Sequence, residues 1–275
     1  MERRTTRGTA PRSPPPGYRE VVRIATWNVN SLCARLPRVE EWLAGRAPDI
    51  LLLQETKLAD PAVPELAFRI AGYEIAHHGE GRWNGVAIAS RVGLDDVVRG
   101  FGDPAEPEAR MIAASCGGIR AVSVYAPNGR SVGSEFWHAK LGWFDRLAGW
   151  LERTCVPSGP LVLGGDLNVA PEDLDVYDPA AFEGSTHVTA EERTAVARLR
   201  AWGLVDAYRL HHPEGGRFTW WDYRAGHFHK GFGMRIDHLY VTAPLAARVA
   251  GAEIDRDARK GKLPSDHAPL WIDLA

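Results

Sequence analysis

The sequence predicts an α/β protein in which β-sheets are stacked and helices lie outside them, and three observations carry this. Short apolar runs bounded by Gly, Pro and Asn recur along the chain as strand signals, several apolar on both faces and therefore buried. Helical spacing and capping signals fall between them. Strands outnumber helices, and a sheet with an apolar face must pack on something, which stacks the sheets.

In chain order, MERRTTRGTAPRSPPPGYRE is basic and carries Pro11, Pro14, Pro15 and Pro16. Such a segment buries little apolar area, so residues 1–20 are expected to form a flexible tail. Residues 21–275 are expected to form one catalytic domain, since 275 residues with 45% hydrophobic content and ten Trp can fill a large core. The strand runs are VVRIATWNV from Val21, DILLLQET from Asp49, GVAIAS from Gly85, RMIAAS from Arg110, IRAVSVYAP from Ile119, PLVLGGDLNVA from Pro160, RIDHLYV from Arg235 and HAPLWIDLA from His267. Helices are expected over Pro37 to Ala44 and over Glu135 to Arg153, where Phe136, Lys140, Trp143 or Phe144, Leu147 and Leu151 recur at helical spacing. A third opens at Thr189, whose hydroxyl can cap it while Glu192 returns the bond, and stops near Gly203. No fixed-period repeat marks a solenoid or propeller.

Composition narrows the setting. No run has the apolar length of a membrane span, and the first residues lack the apolar stretch of a secretory signal, so a cytoplasmic protein without a membrane partner is expected. Cys33, Cys116 and Cys155 are odd in number and form no CxxC, so they read as packed, reduced thiols. With a net charge of -2, any nucleic-acid affinity must come from a local basic patch.

Three acidic clusters each close an apolar run: LQETK at Leu53, GGDLNVAP at Gly164 and SDHAP at Ser265. Hard oxygen ligands delivered together at strand ends suit one magnesium ion and a phosphate ester. In GGDLNVAP, Gly164 and Gly165 permit a tight backbone and close ligand approach, and Asp166 and Asn168 fall two apart on one face. The carboxylate can take a proton from water and the amide can donate to a phosphate oxygen. The same octapeptide also fits an acidic turn that simply closes a strand. Asp266 and His267 are neighbours, which point oppositely on a strand, so a loop or bulge must bring both to one site. Asp237 could accept the imidazole N–H and hold His267 in a useful tautomer or charge state. Glu55 ends a buried run, where an unpaired carboxylate is costly and a cation would satisfy it; Asn28 ends another and supports it directly or from behind. Tyr125 and Asn128, in YAPNG, stand at a strand end where a phenol can bond a phosphate oxygen, or serve as a buried tyrosine and a turn asparagine.

The ordered set TWNVNS, LQETK, NGVAI, YAPNG, GGDLNVAP, GMRIDH and SDHAP resembles the exonuclease III and AP endonuclease family of the endonuclease/exonuclease/phosphatase superfamily, from about Val21 to Ala275. LQETK, the DLDV after GGDLNVAP, and WDYR with RID resemble the exonuclease III branch in particular. The resemblance implies a four-layered α/β sandwich: two mostly antiparallel mixed sheets face to face, with helices outside. It implies magnesium, with manganese as a substitute, bound by Glu55 with help from Asn28. Asn28, Glu55, Asp166, Asn168, Asp266 and His267 are the residues expected around the ion, Asp266 completing the acidic cluster and touching a second metal if there is one. Asp166 would orient or deprotonate the attacking water, Asn168 and Tyr125 would hold the phosphate, and His267, steadied by Asp237, would meet its developing charge. Asn128 and Arg130 would contact substrate. Trp220, Met234 and Ile236 would wall a pocket for a flipped-out baseless sugar, too small for a nucleotide with its base. Arg256, Arg259, Lys260 and Lys262, with Arg130, would form a positive strip for DNA phosphates.

The implied activity is DNA repair: cleavage of duplex DNA 5′ of abasic sites and removal of nucleotides or blocking groups from 3′ ends, by a monomer associated with the nucleoid through DNA binding. Two other readings stay open, a same-fold phosphodiesterase acting on RNA or phospholipid head groups, and a non-catalytic nucleic-acid-binding regulator.

Overall fold

The computed structural model describes residues 21–102 and 108–275; the expected tail over residues 1–20 lies outside the described residues. The strands are β1 (Val22–Asn28), β2 (Ile50–Gln54), β3 (Glu74–His78), β4 (Val86–Ser90), β5 (Asp95–Arg99), β6 (Met111–Cys116), β7 (Ile119–Tyr125), β8 (Leu161–Asp166), β9 (Leu204–Asp206), β10 (Trp220–Trp221), β11 (Gly233–Met234), β12 (Asp237–Thr242), β13 (Val249–Ile254) and β14 (Leu270–Leu274). The helices are α1 (Leu32–Arg46), α2 (Glu65–Ile70), α3 (Glu135–Thr154), α4 (Ala190–Trp202), α5 (His227–Lys230) and α6 (Ala243–Ala246).

Two six-stranded sheets result, ordered β13-β14-β1-β2-β4-β3 and β5-β6-β7-β8-β12-β9, with β10 and β11 as a small separate ribbon. Each sheet is built on one parallel pair whose crossover is a helix, β1–α1–β2 in the first and β7–α3–β8 in the second. All other pairings are antiparallel. Ile24, Leu52, Ile88, Ile112, Val162, Leu239 and Ile272 fill the space between the sheets. The opposite face of the first sheet packs Ala25, Leu51 and Leu53 on Trp42 and Leu43 of α1, and that of the second packs Val122 and Leu163 on α3 and α4 through Phe144, Leu147 and Leu199. This is the expected four-layered α/β sandwich.

All eight expected strands form. The strands without a strong sequence signal include β3, β5, β9 and β13, which are the four sheet edges. An edge strand has one unpaired side and tolerates charge, as DDVVR in β5 does, so it lacks an apolar run. Helix α1 begins at Leu32, not Pro37, because Ser31 accepts the Ala34 N–H as N-cap and Pro37 is accommodated inside the helix. The third helix follows its reading: Thr189 and Glu192 form a capping box and Gly203 ends it. Cys116 is buried, but Cys33 is exposed and Cys155 half-buried, so the thiols are free without all being packed. No helix among the described residues is long and apolar enough to cross a membrane.

The glycine pair in β8 answers to packing rather than to ligand approach. A Cβ at Gly165, where φ is +149°, would stand 1.9 Å from the Val124 carbonyl oxygen, and one at Gly164 would stand 2.5 Å from Leu239 and 2.8 Å from Leu52 of the facing sheet. Side chains there would push β8 off β7 and the sheets apart.

Candidate active site

Strand register assembles half of the site. Tyr125 of β7 pairs with Asp166 of β8, which pairs with Asp237 of β12, so three polar side chains leave the second sheet side by side on one face. The first sheet contributes Asn28 from the end of β1 and Glu55 just beyond β2. His267 arrives from the loop before β14, which Ser265 Oγ ties to the Asn28 carbonyl at 2.7 Å and Trp27 Nε1 ties to the His267 carbonyl at 3.2 Å. The site therefore bridges the two sheets.

Asn28 is the joint between them. Its Nδ2 donates to Glu55 Oε1 and to Asp166 Oδ2, both at 2.9 Å, while its Oδ1 accepts the Asn30 N–H at 3.0 Å. The amide thus supports two carboxylates from behind. Glu55, Asp166 and His267 offer ligand atoms within 4.8 Å of one another. Two converging carboxylate oxygens with a nearby imidazole fit a divalent cation, and the donor hardness favours an oxygen-seeking one. Lys57 Nζ stands 2.9 Å from Glu55 Oε2, and Asp237 Oδ1 is buried without a partner, so negative charge at this point exceeds what local donors satisfy. Glu55 and Asn168 hold φ near +50°, a left-handed backbone costing about 1–2 kcal/mol for a residue with a Cβ. That strain aims both side chains at the site.

The electrostatics follow from burial and these neighbours. Burial pushes the Asp166 carboxyl up, and Asp237 and Glu55 add to it against His267, to about 7. Burial pulls His267 down, but Asp237 and Asp166 together override it and push the imidazole up to about 10. Burial, with Glu55 and Asp166 nearby, pushes the Tyr125 phenol well up, so it stays a protonated donor.

Not every expected residue joins the cluster. Asp266 and His267 face different partners: Asp266 accepts Asn30 Nδ2 at 2.9 Å and Trp220 Nε1 at 3.1 Å, and it stands outside the group able to hold a cation. The SDHAP loop gives the two neighbours separate partners, Asn30 and Trp220 for Asp266 and Asp237 and Asp166 for His267. Asn168 Nδ2 donates to the Ala126 carbonyl at 3.0 Å and its Oδ1 accepts Asn128 Nδ2 at 3.3 Å, so both ends of its amide are engaged by protein groups. Trp220 and Met234 pair across the small ribbon and pack with Ile236, Ala170 and Val176 in one apolar cluster. Trp220 and Met234 line a cleft of about 470 Å³ with Arg130, Phe182, His187 and Phe232. Trp221, by contrast, is a core residue against Phe218 and Ala268.

The expected positive strip is largely committed elsewhere. Arg259 is buried and donates to the Ser265 and Trp221 carbonyls, Arg256 donates to the Phe228 carbonyl over its ring, and Lys260 pairs with Asp257 at 2.6 Å. Proximity in sequence does not make a surface patch.

Three further parts of the site are not singled out by the sequence as site residues, although two lie within quoted motifs. Asn30 links Asp266 to Lys57, whose Nζ lies 2.6 Å from Asn30 Oδ1. Lys140 and Glu192 form a buried pair behind Asn168. Arg235 of RID, fully buried, joins Asp175 of DLDV at 2.7 Å and Asp206 at 2.8 Å, which explains why those two distant motifs occur together. A lysine within an apolar helical stripe was the one available clue to the second.

A model of the endonuclease/exonuclease/phosphatase family matches residues 25–267. The exodeoxyribonuclease III of Haemophilus influenzae is 33% identical over 266 residues, covering 92% of this chain and 100% of that one. A solved AP endonuclease from Archaeoglobus fulgidus superposes with a TM-score of 0.89 at 38% identity, covering 91% of this chain and 98% of its own. A 3′ phosphatase from Neisseria, solved with a product DNA hairpin, does so with a TM-score of 0.89 at 40% identity, covering 92% and 99%.

Proposed function

As the chain belongs to the exodeoxyribonuclease III and AP endonuclease branch of the endonuclease/exonuclease/phosphatase family, and is a hydrolytic nuclease, we propose that it is a magnesium-dependent DNA-repair phosphodiesterase that cuts duplex DNA 5′ of abasic sites and trims 3′ ends. The observation carrying this reading is the single amide of Asn28 donating to Glu55 and Asp166 from opposite sheets, opposite the Asp237–His267 pair. That arrangement gives a cation and a phosphodiester one shared place.

Glu55 and Asp166 would hold the magnesium ion, with manganese as its substitute. Bound there, it supplies Lewis-acid polarisation of the phosphate and neutralises negative charge on it. Asp166, whose carboxyl is pushed up by burial, takes the proton of the attacking water. Tyr125 donates its phenolic hydrogen to a phosphate oxygen, and the amides of Asn128 and Asn168 face the same group. His267 carries positive charge next to the phosphorane-like transition state and is oriented by Asp237 through a 2.8 Å bond. Trp220 and Met234, backed by Ile236, would wall the space for a sugar without its base, with Arg130 lining the same cleft.

One gel tests the reading. End-labelled duplex, with and without an abasic analogue, is incubated with magnesium or with EDTA. Magnesium-dependent scission at the abasic site together with 3′ shortening is expected, and Glu55→Gln should abolish both. An inert wild-type enzyme, or a Glu55→Gln variant of full activity, would overturn the proposal.

A further inference from the structure

Directly beneath the phosphate side of the site lies a buried ion pair. Lys140 of α3 and Glu192 of α4 have no exposed surface, and Nζ stands 2.5 Å from Oε1. Withdrawing two ions from water is a costly way to join two helices, since apolar side chains of similar volume would hold them as well. The other hydrogens of the ammonium show a further use. Nζ donates to the Asn168 carbonyl at 2.7 Å and reaches the Asn128 carbonyl at 3.4 Å.

These carbonyls belong to the two residues whose side-chain amides interlock at the phosphate side, Asn128 Nδ2 on Asn168 Oδ1 at 3.3 Å. Asn168 is held at φ +51°, a conformation that persists only where the surroundings over-determine it. The surroundings do so here. Thr186 Oγ1 lies 2.7 Å from Glu192 Oε1 and 3.2 Å from the Asn128 carbonyl, and His187 Nδ1 lies 2.6 Å from the Asn168 carbonyl. Gly129 carries the chain so close to the lysine stem that a Cβ there would stand 3.1 Å from Lys140 Cδ. Only a long stem ending in several hydrogen-bond donors meets both carbonyls and the carboxylate together.

We propose that Lys140 is a positioning residue for the hydrolysis: by gripping the backbone carbonyls of Asn128 and Asn168 it fixes the aim of both side-chain amides at the scissile phosphate. Glu192 offsets the buried charge of the ammonium and does not itself act on the asparagines; the two carbonyls hold the ammonium, and an amide oxygen at position 192 could still accept from it. The proposal rests on the reading above that these amides meet the phosphate.

Lys140→Met and Glu192→Gln separate the two parts of the pair. Both break the ion pair and both should lower the melting temperature. The comparison uses full-length protein, 3′-labelled duplex and magnesium, at a temperature where circular dichroism shows each variant folded. Lys140→Met should lower kcat by about tenfold or more while KM moves less than about threefold, because misaimed donors weaken the transition state more than duplex binding. Glu192→Gln, which leaves the ammonium on the carbonyls, should retain kcat within about threefold. If Lys140→Met does not fold, Lys140→Gln replaces it with the same expectation.

A readout independent of catalysis comes from the ¹⁵N side-chain amide signals of Asn128 and Asn168, which should shift and broaden in the Lys140 variant alone. Altered signals in an enzyme whose wild type cleaves no DNA would uphold the positioning role and overturn the nuclease reading instead. Unchanged amide signals in the Lys140 variant, or equal loss of kcat in both variants, would overturn the positioning role.

Discussion

The ring of His267 is held from two sides, with Nδ1 2.8 Å from Asp237 Oδ2 and Nε2 3.8 Å from Asp166 Oδ2. Burial alone would strip its proton, and the two carboxylates keep it. Since the folded pKa lies above the ordinary 6.5, the interaction stabilises fully below pH 6.5 and is lost as pH rises through about 10. Asp237→Asn removes the stronger of the two partners. Its expected effects are a basic limb of the kcat/KM profile displaced to lower pH by roughly one unit or more and a loss of about a hundredfold in kcat at pH 8. A full pH–rate profile measures both.

Asp166 titrates in the same sense for stability, in a lower pH window. Its carboxyl, pushed up to about 7 from 3.8, binds a proton more tightly folded than unfolded, so metal-free stability declines as pH rises between those values. A cation must displace that proton and then relieves the crowding of Glu55, Asp166 and Asp237. Magnesium should therefore raise the melting temperature more at pH 8 than at pH 5.5, and not at all in Glu55→Gln. Equal gains at both pH values would count against Asp166 as a ligand.

Arg235 neutralises Asp206 and shares Asp175 with Arg209, and its Nη1 also lies 3.0 Å from His238 Nδ1. Although burial pushes Asp206 up, Arg235 outweighs it and holds the carboxyl below its ordinary range. Arg235→Met would leave Asp206 buried against an apolar chain and Asp175 to Arg209, at a cost of about 3–5 kcal/mol. Thermal melts should show a drop of about 10 °C. Because Ile236 and Asp237 follow it directly, activity should fall as well.

Trp220 tests the apolar wall. Its ring lines the cleft while its Nε1 holds Asp266, so Trp220→Ala opens the wall and frees that carboxylate. Cleavage of abasic duplex should fall by about tenfold more than trimming of intact 3′ ends. Equal losses on the two substrates would rule out a pocket role.

What could be read from the sequence divides by physical cause. Asn28, Glu55 and Asp166 were legible because each is a polar residue at or just past the end of a largely apolar, buried strand, an arrangement that demands a partner. Edge strands were not, because half-exposed positions carry no distinctive pattern. Lys140 was read only as a member of a helical stripe, although a lysine among Trp143, Phe144 and Leu147 has no apolar reason to be there. The basic residues from Arg256 to Lys262 misled for the converse reason, since charge in sequence says nothing of whether Arg259 spends it on carbonyls.

Glu55 and Asn28 ride on one sheet and Asp166 on the other, while His267 from the first sheet meets Asp237 from the second. The reactive centre is thus a rivet driven through the seam of the sandwich. Any substitution that lets the layers slide, even one deep among Leu52, Val162 and Leu239, would blunt catalysis before it melts the protein.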